Sequence, residues 1–331
     1  LPRRAGSSRA VAEGAPPVPG AGSGQGLDAR RTAAGDDAAA DGRALKVLVD
    51  RDGPVVVTGR DAAAAGWDLA AVDPARVGLS TAAGPHALAV EDGGDGRLDP
   101  DDPLVFHGEA MTGEYARRRV YWLRPDAASP AAPQRRDVAP SAGAPAAQAF
   151  TRTVRYEADT TYLYSLHRRE GDERWMWGER IDAGRAVTRT LEAPDAVPGA
   201  PARLRVRLQG YTDDPAVAPD HHVALRLGGV PLCADRFDGR VPHVLDCAVP
   251  GGVLRAGGNE LAVALVGDTG AVVDSVYLDW AELAHPAPYA ARGDRLDFEL
   301  PATGAWAVAL TGFRDAAIAV ADITDPACPV R

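Results

Sequence analysis

"ARLRVRLQG" at 202–210 and "HHVALRLGG" at 221–229 decide the fold. In both, apolar and polar residues alternate with period two, the pattern of a strand with one face buried and one solvated. Similar runs surround them: "FTRTVRYEAD" (150–159), "HVLDCAVP" (243–250), "NELAVALVG" (259–267) and "SVYLDWAELA" (275–284). They recur at intervals of roughly 8–15 residues, separated by turns such as "GG", "DG" and "AGGN". The rhythm predicts a jelly-roll-like antiparallel β-sandwich over 149–290. "DRLDFELPATGAWAVALTGFRDAAIAVADITDP" adds terminal strands within 291–331.

Upstream the text is different. Residues 1–44 hold almost no large apolar side chain and cannot bury enough surface to offset ordering entropy. A disordered leader is expected there. "LKVLV" and "PVVVT", separated by "DRDG", read as a hairpin. "GRDAAAAGWDLAAV" (59–72) reads as a short helix with Asp61 at its N-cap. Further strands follow in "HALAV", "PLVFHG" and "RRVYWLRP", making a small α+β domain over 45–125. A Pro/Ala-rich linker over 126–148 separates it from the sandwich. The fold class expected is mainly β.

At 331 residues the chain is long enough for two cores. A net charge of −10, with Lys46 the only lysine, argues against a nucleic-acid partner, whose usual footprint is a basic face. No apolar run approaches the ~20 residues of a membrane span. No signal peptide is visible, and the first residue is Leu1 rather than Met, so an N-terminal piece is expected to have been removed or omitted and export stays open.

Cys233 and Cys247 stand in strand-like text on either side of a turn. The arrangement fits a cross-strand disulfide, which would favour an oxidising compartment, and also two buried thiols. His243 and Cys247 share a face, but about 13 Å apart at 3.3 Å per residue, too far for a thiolate–imidazole pair. Alternation sends the rings of His221 and His222 to opposite faces, so the two are read as strand-starting residues at a sheet edge rather than as metal ligands. Trp175 with Trp177, and Tyr162 with Tyr164, lie at strand spacing. They are read as aromatic core, with an exposed sugar-stacking platform as the other reading.

The acidic stretch "VEDGGDGRLDPDDPLVFHG" (90–108) raises a separate question. Counting Glu91 as position 1 of a Ca²⁺ loop puts Asp95 at 5, a turning Gly96 at 6, the Arg97 carbonyl at 7, Asp99 at 9 and Asp102 at 12. Leu98 would tether the loop to a core. Gly93 supplies no oxygen at position 3, and a solvated Asp/Gly turn is the other reading.

Taken in order, "DGGDGRLDPDDPLVFHG" (92–108), "VYWL" (120–123), "ERWMWGE" (173–179), "HHVALRLGG" (221–229), "FDG" (237–239), "AGGNELAVALVGDTGAVVDSVYLDWAEL" (256–283) and "GFRDAAIAVADITDP" (312–326) resemble the N-terminal, pre-catalytic region of gingipain-like cysteine peptidases. The resemblance implies a jelly-roll-like sandwich that precedes a peptidase domain. It also supports Ca²⁺, because relatives carry a "DGxFDxxD" pattern that Asp95, Gly96, Leu98, Asp99 and Asp102 resemble. The catalytic His–Cys pair of that family belongs to the later domain, and nothing here matches it. No catalytic residue is carried over, and the chain is expected not to be an enzyme. The resemblance implies a secreted or cell-surface segment that shields, positions or stabilises a downstream or associated peptidase domain. An extracellular adhesive or carbohydrate-binding module, with surface proteins or glycans as partners, is the alternative. Arg331, closing "DITDPACPVR", is a possible P1 residue of a maturation cut.

Overall fold

The computed structural model describes residues 9–14, 44–111, 118–127, 143–166, 174–316, 318–327 and 329. The chain divides into two compact units, one of residues 1–145, 291–307 and 312–331 and one of residues 146–290 and 308–311. The fold is mainly β, as the period-two patterning predicts.

The first unit opens with β1 (Arg9–Gly14), β2 (Leu45–Val49), β3 (Gly53–Thr58), β4 (Gly78–Thr81), β5 (Gly84–His86), β6 (Ala89–Val90), β7 (Pro103–Gly108) and β8 (Arg119–Arg124). One sheet runs β2-β8-β4-β5 and another β3-β7-β6. The hairpin expected across "DRDG" does not form. β2 pairs with β8 and β3 with β7, because the turn signal is local whereas the burial of Val47, Tyr121, Val57 and Phe106 in one core fixes the partners. The helix is shorter than expected, Gly59–Ala64, and its N-cap is Thr58. Asp61 is the third helical residue. Its carboxylate accepts from the Thr58 amide at 2.9 Å while the Thr58 hydroxyl accepts from the Asp61 amide at 3.2 Å, a reciprocal capping box.

The second unit carries β9 (Ala146–Ala147), β10 (Phe150–Glu157), β11 (Thr161–Tyr162), β12 (Trp175–Met176), β13 (Ile181–Asp182), β14 (Arg185–Ala193), β15 (Ala202–Gly210), β16 (His221–Leu227), β17 (Val230–Phe237), β18 (Pro242–Val249), β19 (Gly257–Leu265) and β20 (Ser275–Ala287). Two antiparallel sheets share one apolar core. One runs β10-β20-β15-β18, with β13 also on β20, and the other β14-β19-β16-β17. Leu204, Val206 and Leu208 of β15 and Val223, Leu225 and Leu227 of β16 are buried almost completely. Each such side chain contributes roughly 1.5–3 kcal/mol relative to exposure. The intervening arginines lie on the far face of their sheet and pair there, Arg203 with Asp246 at 2.6 Å, Arg205 with Glu282 at 2.9 Å and Arg207 with Asp279 at 3.0 Å. A β-bulge interrupts the β15–β20 register between Arg207 and Leu208. It keeps Val276 and Leu278 before it, and Ala281 and Leu283 after it, all in the core.

The chain ends with β21 (Arg295–Glu299), β22 (Ala307–Val308) and β23 (Ile318–Asp322). β1 lies between β21 and β23, antiparallel to both. A strand therefore stands inside the stretch expected to lack order. Its six residues, "RAVAEG", give a period-two signal too short and small to read from sequence, whereas pairing on both edges supplies the ladder hydrogen bonds. Arg331 lies outside the described residues.

Candidate functional site

The acidic stretch folds as a chain of tight turns. Asp92 accepts from the amides of Gly94 at 3.0 Å and Gly96 at 3.2 Å, Asp95 from Arg97 at 2.9 Å, and Asp102 from Asp99 at 2.6 Å. Gly93, Gly94 and Gly96 have φ of 65°, 85° and 74°, which side-chain-bearing residues rarely adopt. Leu98 is buried and anchors the stretch in the core of its unit. Three of the aspartates thus serve backbone amides. Among the described residues, no group of three or more His, Cys, Asp or Glu is placed to hold a metal ion.

Cys233 and Cys247 form a disulfide with a Cα–Cα distance of 5.8 Å. It does not join two paired strands. β17 and β18 are edge strands of different sheets, so the bond ties the two layers of the sandwich along one edge. His243 is directed instead at Asp235, 3.0 Å away, and its ring stacks on Phe237.

The second unit concentrates its buried polar groups at one end, where β15 finishes and β16 and β20 begin. His221 and His222 do point to opposite sides. β16 is not an edge strand, however, because it lies between β19 and β17. His222 is half-buried and meets Asp268 at 2.7 Å, which Arg236 also engages at 3.0 Å. His221 is completely buried, with Nδ1 at 2.6 Å from Asp274 Oδ1 and Nε2 at 3.2 Å from the Gly239 carbonyl. Both ring nitrogens therefore face acceptors. Burial raises the Asp274 carboxyl above its ordinary range, with His221 opposing the shift. Asp274 Oδ2 is buried without a hydrogen-bond partner among the described residues.

Asp220, next to this pair, is an anchor for loops. Its oxygens accept from the amides of Gly239 at 2.8 Å and Asp214 at 2.9 Å, and its carbonyl accepts from the Thr269 hydroxyl at 3.0 Å. One fully buried residue thus fastens three connections to the end of the sandwich. Gly210 permits the arrangement, since a Cβ there would overlap the Gly239 carbonyl and crowd His221. Sequence reading missed Asp220 and Asp274. The available signal was an Asp directly before "HHV" and another directly before "SVYLDW".

On the surface of this end, Tyr211 and Tyr277 pack edge to face at 5.2 Å, and the Arg240 guanidinium lies over Tyr211 at 5.7 Å. Tyr162 contacts both Tyr164 at 5.0 Å and Trp175 at 5.1 Å. The aromatic-core expectation holds for Trp177, which packs on the sandwich core, but not for Tyr164, which is 85% exposed.

No protein-family model matches the chain. Comparison with curated proteins gives no match either. Among solved structures, dimeric latent PorU from Porphyromonas gingivalis matches with a TM-score of 0.56 and 16% identity, over 77% of this chain and 25% of that one. The chain thus spans about a quarter of the length of the protein it matches, and the likeness shows a related fold. The carbohydrate-binding module CBM36 in complex with calcium and xylotriose matches at 20% identity and a TM-score of 0.26, over 39% of this chain and 98% of that one. A family 35 carbohydrate-binding module from Clostridium thermocellum matches at 16% identity and a TM-score of 0.27, over 40% of this chain and 98% of that one. At those scores the two modules carry no argument.

Proposed function

We propose that the chain is a non-catalytic, β-rich segment of a larger gingipain-like protein, and that it shields, positions or stabilises a peptidase domain. The observation that supports this most is the fold likeness to latent PorU across 77% of the chain, in the same direction as the sequence resemblance. The chemistry agrees. Cys233 and Cys247 bond each other, so neither is a nucleophile while oxidised, and His243 is engaged by Asp235. The buried His221–Asp274 pair faces a backbone carbonyl rather than a hydroxyl or thiol.

An extracellular or cell-surface location goes with this reading. A disulfide between the sheets persists in an oxidising compartment. No helix among the described residues is long and apolar enough to cross a membrane. The test is enzymatic and genetic. The purified chain should not hydrolyse peptide substrates, and its complete reading frame should encode a His–Cys peptidase domain whose thermal stability falls when this segment is deleted. Thiol-sensitive hydrolysis by the chain alone, lost on Cys247→Ala, overturns the proposal. So does a peptidase domain whose stability and activity ignore the deletion.

A further inference from the structure

Two aromatic clusters of the second unit are bridged by Arg240. Trp175 touches Tyr162 and Tyr162 touches Tyr164. The next residue, Ser165, accepts through its carbonyl from Arg240 at 3.2 Å, and Arg240 lies over Tyr211, which packs on Tyr277. We propose that this surface is a binding site for an acidic saccharide, a glycan chain bearing uronate carboxylates. The inference does not rest on the peptidase reading.

Three features select this chemistry. The first is the unspent cation. Arg180 beside the tyrosines is paired with Asp182 at 2.7 Å, whereas Arg240 contacts only Ser165 and the Tyr211 ring and has no carboxylate partner among the described residues. An exposed guanidinium over an aromatic face keeps its planar fork for a ligand carboxylate. The second feature is that the start of β20, which carries Tyr277, cannot take an added strand. It is flanked by β13 on one side and by the end of β15 on the other. Recognition at Tyr277 and Tyr211 therefore goes through side chains. Partly exposed rings with a few fixed polar groups suit the C–H faces and hydroxyls of a sugar. The third is that the platform is already built. The Tyr211 amide donates to the Ser275 carbonyl at 3.0 Å, the Gly210 amide to Val241 at 2.9 Å, and Asp220 fixes the loops behind them. Little ordering is left to oppose binding. Tyr164, 85% exposed, has no role in the core and extends the row of rings.

Calorimetric titration of the full chain tests the proposal, with tetragalacturonic acid as probe, cellotetraose as the neutral control and hexaglutamate as the acidic peptide control. Tetragalacturonic acid should bind at least about ten-fold tighter than cellotetraose, and added salt should weaken it. Arg240→Gln should remove that preference, and Tyr164→Ala should weaken binding about ten-fold, as truncation of an anchoring ring does. Both positions are exposed, so unchanged melting temperatures will confirm that the variants are folded. The absence of tetragalacturonate binding overturns the proposal, as does binding that both folded variants retain. Hexaglutamate binding as tightly through Arg240 would also refute it and reassign the surface to an acidic protein partner.

Discussion

Asp274→Ala should be among the most damaging single substitutions in the sandwich. The side chains of Asp274 and His221 are 1% and 0% exposed, so removing the carboxylate leaves His221 Nδ1 without its partner, facing a void that water cannot readily fill. Breaking a buried ionic pair by deleting one partner costs about 3–5 kcal/mol. The lower figure applies here. Asp274 Oδ2 lacks a hydrogen-bond partner among the described residues, so the intact pair already bears part of the desolvation cost. For a unit of roughly 150 residues, ~3 kcal/mol corresponds to a fall in Tm of about 6–12 °C. His221→Leu alone should cost a similar amount by stranding the carboxyl. The double variant His221→Leu/Asp274→Ala strands neither group and should cost no more than about either single change, a coupling of about 2–3 kcal/mol. Calorimetric melting of the four proteins decides it. Additivity within about 0.5 kcal/mol would show that the two groups are independent and the reasoning wrong.

The same pair gives a pH signature. Because burial raises the Asp274 carboxyl, its contribution to stability is complete below the ordinary carboxylate value of 3.8 and is lost as pH rises through the higher folded value. Over that window stability should fall by up to about 1.4 kcal/mol per pH unit, and Asp274→Asn, which can donate to Nδ1, should flatten the slope. Gly210→Ala should destabilise the unit and expose Trp and Tyr fluorescence to quencher; a variant as stable as the parent would contradict the close packing on Gly239. Alkylation without reductant should leave Cys233 and Cys247 unmodified by intact mass, and reduction should cost roughly 3 kcal/mol by loop-closure entropy. Calcium at Glu91, Asp95, the Arg97 carbonyl, Asp99 and Asp102 is proposed on the sequence pattern; EDTA should then lower Tm, and Asp95→Ala with Asp99→Ala should abolish the shift. A melting curve indifferent to both EDTA and Ca²⁺ leaves the stretch a set of turns.

The sandwich was legible because period two states which face each residue takes. Leu204, Val206 and Leu208 could be assigned inward, and Arg203, Arg205 and Arg207 outward, from nine consecutive letters. Pairing was less legible. "DRDG" marks a turn correctly yet says nothing about which strand lies alongside β2, and the answer, β8, is far away in the chain. The candidate site was hidden for the same reason. His221 and Asp274 are 53 positions apart, and only the common end of β16 and β20 brings them together. The opposite facing of His221 and His222 follows from alternation; the complete burial of one and the half-burial of the other does not, because that depends on the second sheet. Tyr211 follows β15 and stands outside its alternating pattern, so period two does not mark it.

The disulfide makes the sandwich resemble a bound book. β17 and β18 form the spine, joined covalently. Along the opposite margin the links are non-covalent: the Tyr156 hydroxyl of β10 donates to the Glu192 carbonyl of β14 at 2.6 Å, and Arg152 of β10 pairs with Asp195 just past β14 at 2.6 Å. The two layers should therefore part from that fore-edge, with β10 and β14 exchanging their amide hydrogens long before β17 and β18 do. Tyr156→Phe would loosen the clasp and leave the spine intact. The two margins of one domain would then breathe on separate timescales.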